Sequence, residues 1–131
     1  MITIAMPLID KSVIKDVEAV ILTGNLAQGK QVQQFEEAFA NYIGTEYAVA
    51  VNSGTSALHI ALLAAGIKEG DEVITTPFSF IASANVILMC GAKPVFVDIE
   101  PDTYNINPSL IKSKINPRTK AIVAVHLYGQ P

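Results

Sequence analysis

Apolar positions along this chain alternate between two periods. Between residues 10 and 22, Val13, Ile14, Val17, Val20 and Ile21 recur at i, i+1, i+4, i+7 and i+8. That is the stripe of an amphipathic helix, which Thr23-Gly24-Asn25 ends. After a loop at Leu26–Gly29, Val32, Phe35, Phe39 and Tyr42 predict a second helix over Lys30–Ile43, with an aromatic face turned to the core and Gly44 as its stop. The period then shortens. Tyr47–Val51 is a β-branched apolar run that reads as a buried strand. Ala57–Ala65 reads as a buried helix closed by Gly66.

The same alternation fills the rest of the chain. Glu72–Thr75 predicts a strand, and Pro77 punctuates it because proline cannot continue a central strand. Ser79 opens an apolar helix running to about Cys90, with Gly91 beyond it. Lys93–Val97 predicts a buried strand, Asn107 caps a short helix from Pro108 to about Lys114, and Lys120–Val125 predicts a further apolar strand. Continuous apolar strands alternating with helices imply an α/β fold, a mostly parallel sheet covered by helices on both faces. Ligands in such sheets sit at the carboxyl ends of the strands. Asn52–Ser56, Thr76–Phe80, Asp98 and His126–Gln130 fall there.

Composition narrows the classes. At 131 residues the chain is the size of one domain and buries roughly two-thirds of its unfolded surface. A net charge of −3 without a basic cluster argues against nucleic acid and anionic membranes. The longest apolar stretch, Ala57–Ile67, is too short to span a bilayer. The N-terminus lacks a basic n-region, which makes the cytoplasm the expected location. A single cysteine, Cys90, excludes an internal disulfide and reads as a buried inert thiol. Two histidines far apart, His59 and His126, offer no metal-ligand spacing and read as structural. The apolar balance (mean hydropathy +0.39) implies an exposed apolar face that something else covers, as in the front part of a longer protein or half of an assembly.

The segment Asn52-Ser-Gly-Thr-Ser-Ala-Leu58 carries the candidate chemistry. Asn52 or Ser53 can cap the following helix, Gly54 lets backbone approach a ligand, and Thr55 and Ser56 present first-turn amides and hydroxyls. Such a junction suits an anion, above all a phosphate. An ordinary capped helix after a strand fits the same residues.

Gln28-Gly29-Lys-Gln-Val-Gln-Gln-Phe35-Glu36, Ala48–Leu58, Gly70–Phe80, Pro94–Asp98 and Val125–Pro131 together resemble, in order, the DegT/DnrJ/StrS sugar aminotransferases. The resemblance implies the N-terminal part of the large domain of the aspartate-aminotransferase-like architecture (fold type I), with a helical arm over about 1–45 and an α/β core over about 46–131. The cofactor it implies is pyridoxal 5'-phosphate. Gly54, Thr55 and Ser56 would hold its phosphate, and Phe80 would lie against its ring; the residues alone also allow Phe80 as a core aromatic. It further implies glutamate and a nucleotide-linked keto sugar as partners, a homo-oligomer, and Gln28-Gly29 near the substrate.

The family's mechanism also needs a lysine to join the cofactor as a Schiff base and a carboxylate on the pyridine nitrogen. Both come from family segments beyond the one matching Val125–Pro131, and none of Lys11, Lys15, Lys30, Lys68, Lys93, Lys112, Lys114 or Lys120 matches the lysine position. Asp98 matches a different one. The expectation is a truncated chain with no transaminase activity of its own. A 3-dehydratase relative, a free-standing phosphate- or nucleotide-binding module and an inactive partner completing its sheet with another chain are the alternatives.

Overall fold

A computed structural model describes residues 6–131; residues 1–5 of the helical arm lie outside the described residues. The chain divides into two compact units, one ending at Ala50 and one spanning Val51–Pro131.

The first unit holds α1 (Lys11–Leu22) and α2 (Lys30–Ile43), close to their sequence-predicted bounds. Asp10 starts α1 by accepting the Ser12 amide at 2.7 Å. Gly44, at φ +83, ends α2 and returns its amide to the Ala40 carbonyl at 2.8 Å. The expected core faces are open. Val13, Ile14, Val17 and Ile21 are exposed, as are Phe35, Phe39 and Tyr42, and Ala40 is the buried hydrophobe of α2. Within this unit no second layer covers the stripes among the described residues. Phe35 and Phe39 instead pair with each other, ring centroids 5.7 Å apart.

Tyr47–Val51, the expected buried strand, forms no ladder, and Tyr47 and Val49 are exposed. A strand exists only where a neighbour supplies donors and acceptors, and none of the described residues does so here. The run is held instead by Ala50, whose amide donates to Glu36 Oε1 at 2.7 Å.

The second unit is built on a parallel sheet of β1 (Glu72–Thr75), β2 (Lys93–Phe96) and β3 (Thr119–Ile122) in the order β2-β1-β3. β1 is central and buried throughout. β2 is an edge strand with exposed ends, which is where Pro94 is tolerated and why it is less buried than its sequence suggests. β3 is shorter than Lys120–Val125, although Val123 continues the ladder to the Ile74 carbonyl at 2.8 Å.

α3 (Gly54–Ala64) and α4 (Ala82–Met89) pack together on one face of the sheet. Their Leu62, Val86 and Ile87 meet Val73 there, with Ile67, Cys90 and Ala92 completing the cluster. α5 (Pro108–Ile111), capped by Asn107 and followed by one 3₁₀ turn at Lys112–Lys114, serves the other face, where Ile111 joins Ile74, Val97 and Ile106. Successive residues of a strand point to opposite faces, so Val73 and Ile74 seed separate clusters. α3 is less buried than its sequence predicts: Leu62 faces the core while Leu58, Ile60 and Leu63 remain exposed. Buried Cys90 has its thiol pKa pushed up by desolvation. No described helix is long and apolar enough to cross a membrane.

Candidate functional site

α3 begins with two of its first-turn amides free among the described residues. Ser53 caps it, its Oγ accepting the Ser56 amide at 3.1 Å, and the Ala57 amide returns to the Ser53 carbonyl at 3.0 Å. The amides of Gly54 and Thr55 find no acceptor among the described residues, nor does the Thr55 hydroxyl. The Ser56 hydroxyl is engaged. It donates to Asn52 Oδ1 at 2.7 Å and lies 3.0 Å from Ser53 Oγ. The junction therefore offers two amides and one hydroxyl at the positive end of an 11-residue helix.

Gly54 sharpens this reading. Its φ is not left-handed, and a Cβ placed on it would meet nothing within 4 Å. Nothing inside the chain demands glycine, which in a helix costs up to about 1 kcal/mol relative to alanine. The open space against its Cα, beside free donors, fits a phosphate that approaches the backbone closely.

Leu62, near the end of α3, packs on Val73 of β1, and the chain continues from the carboxyl edge of that strand. Thr76–Phe80 leaves β1 at that edge. Phe80 is 76% exposed and borders a shallow cavity of about 140 Å³ with Thr76, Ser79, Ala84 and Phe96. It is not a core aromatic of α4. That helix starts at Ala82 rather than Ser79, because the Ser79 hydroxyl caps no amide and donates to Ser83 Oγ at 3.1 Å. No hydrogen bond links Phe80 to Gly54–Ser56 among the described residues. The neighbours of β1 reach it through different crossovers, which makes this edge a switch point of the kind that hosts ligands.

Asp98 is exposed and accepts the Ile99 amide at 2.8 Å. Gln28 and Gly29, in the first unit, line a separate cavity of about 490 Å³ with Thr23, Asn25 and Lys30.

One group of aromatics escapes sequence reasoning. Tyr104 stacks on Phe78 with centroids 5.6 Å apart and meets Tyr128 edge-on at 5.5 Å. Tyr104 lies in a loop without periodicity and adopts φ +60, so spacing gives no signal for it.

A profile of the DegT/DnrJ/EryC1/StrS aminotransferase family matches residues 7–131. Spore coat polysaccharide biosynthesis protein SpsC of Bacillus subtilis is 50% identical over 126 residues, covering 96% of this chain and 32% of that protein. GDP-perosamine synthase of Caulobacter vibrioides is 53% identical over 102 residues, 78% of this chain and 28% of the relative. Among solved structures, the aminotransferase from Psychrobacter cryohalolentis superposes with a TM-score of 0.90 at 41% identity, over 97% of this chain and 33% of that one. The chain thus spans about a third of the length of the proteins it matches, and its architecture is that of the fold type I aminotransferases.

Proposed function

Because this chain belongs to the DegT/DnrJ/EryC1/StrS aminotransferase family, we propose that it supplies the phosphate cup and ring-facing aromatic of a pyridoxal-phosphate enzyme. That enzyme moves an amino group from glutamate to a nucleotide-linked keto sugar. Relatives named GDP-perosamine synthase and UDP-2-acetamido-2-deoxy-3-oxo-D-glucuronate aminotransferase support the sugar class. A similar structure described with bound cofactor PMP supports the cofactor.

The observation that carries the reading is the glycine at position 54, unexplained by the chain's own packing and flanked by free donors. Gly54 and Thr55 amides and the Thr55 hydroxyl bind the phosphate, and Ser56 keeps the turn in shape through Asn52. Phe80 covers the ring and excludes water from it. When bound, pyridoxal phosphate supplies an electron sink that eases proton loss from the amine-bearing carbon. The reading puts the cofactor-bearing lysine and the pyridine carboxylate outside these residues. The arm over about 1–45 and the core over about 46–131 belong to one large domain, and the open stripes of α1 and α2 suit a homo-oligomer.

Titration with pyridoxal phosphate, followed by borohydride and mass spectrometry, tests this. The expected result is saturable uptake with no specifically labelled lysine and no amino transfer. A stoichiometric lysine adduct overturns the assignment of the lysine, and absence of uptake overturns the cup.

A further inference from the structure

α4 is an apolar helix with a buried hydroxyl in it. Ser83 is enclosed with Ala82, Val86 and Ile87. Alanine there would raise helix propensity and remove no apolar contact, so the stability of α4 gives no reason for serine. Its hydrogen-bond partner gives one. The single hydroxyl proton of Ser79 is shared between Ser83 Oγ at 3.1 Å and the Phe80 carbonyl at 3.3 Å, and the Ser83 amide donates to that same carbonyl at 3.1 Å. The Phe80 carbonyl is thus held by the residue before it and by the helix after it. Upstream, the Phe78 amide donates to Thr76 Oγ1 at 3.2 Å and its ring rests on Tyr104. A side chain as exposed as Phe80 has little packing to orient it, so the direction of its Cα–Cβ bond is set by backbone held on both sides.

We propose that Ser83, acting through Ser79, is a positioning residue for Phe80, fixing the ring in the orientation that covers the cofactor. The inference rests on the reading given under Proposed function. Fixing the ring before binding removes an ordering cost at the moment of association.

The 131-residue chain is titrated with pyridoxal phosphate in five forms: wild type, Ser83→Ala, Ser79→Ala, the double variant and Ser79→Thr. Affinity and the circular dichroism induced in the bound cofactor are read beside thermal melting. Each alanine variant is expected to weaken binding about five-fold, the factor that one neutral hydrogen bond supports. The double variant should lose no more than either single one, and Ser79→Thr should restore both signals, all without a lower melting midpoint. Unchanged affinity and dichroism in the alanine variants overturn the proposal, as do losses that add in the double variant or that follow only a fall in melting temperature. Should Ser83→Ala not fold, Ser79→Ala on the partly exposed partner decides in the same way. Failure of the wild type to take up the cofactor overturns the proposed function and the inference with it; uptake with an insensitive Ser79–Ser83 pair overturns the inference alone.

Discussion

Arg118 meets Glu72 through two nitrogens, Nε at 3.1 Å and Nη2 at 2.9 Å, both on Oε1 of the carboxylate. Asn116 Nδ2 donates to Oε2 at 2.7 Å, and Lys93 Nζ of β2 stands 3.9 Å from Oε1. Glu72, only 4% exposed, thereby ties the start of β1 to β2 and to the turn before β3. The amide of Asn116 and then the guanidinium of Arg118 hold its carboxyl below the usual glutamate range. A pKa lower in the folded chain means that the unfolded chain takes the proton more readily. The stabilisation is therefore present above the ordinary glutamate range and is lost as pH falls through the folded value. Stability should drop below about pH 4, and Glu72→Gln should lower the melting midpoint by several degrees at neutral pH and flatten that acid limb. Melting curves across pH check both.

Gly54→Ala separates stability from binding. Alanine at this open helical position should leave the chain as stable or up to about 1 kcal/mol more stable. Its methyl group occupies the space assigned to the phosphate, so pyridoxal-phosphate affinity should fall at least about ten-fold. Urea unfolding and cofactor titration of one sample give both numbers.

Thr75 donates its hydroxyl to the Val123 carbonyl at 3.0 Å and is fully buried. Thr75→Val keeps the shape but strands that carbonyl, a loss of about 1–2 kcal/mol, with the urea midpoint shifted and the slope unchanged.

Cys90 reports on opening of the α4 face. Burial pushes its thiol pKa up, so the unfolded chain gives up that proton first, and stability should fall as pH rises past about 8.5. A thiol reagent in native buffer should label Cys90 slowly, at a rate that increases in Glu72→Gln. Rapid labelling of the wild type would contradict its burial.

Local features were legible where the chain supplies its own partners. Gly44 and Asn107 bound their helices as their chemistry dictates, and Glu72–Thr75 forms its strand with the bounds the pattern gives. Tyr47–Val51 and the stripes of α1 and α2 carry the same kind of signal without the outcome. A period states what a segment can bury, not whether a surface is there to receive it. Ser79 misleads for another reason: its hydroxyl engages Ser83 Oγ and the Phe80 carbonyl and accepts from no amide, and the helix starts later. Of the candidate site, turn chemistry singles out Gly54, Thr55 and Ser56, and only the family resemblance singles out Phe80. The commitment of the Ser56 proton to Asn52 and the Phe78–Tyr104–Tyr128 contact are not, because both depend on side-chain direction in three dimensions.

The order β2-β1-β3 has a consequence for synthesis. The middle strand leaves the ribosome first, and its second neighbour emerges only after both crossovers have been made. Until then the rim of β1 that pairs with β3, including the Ile74 carbonyl that takes the Val123 amide, is bare, and nascent chains stalled between Phe96 and Thr119 are the species a holding chaperone should capture.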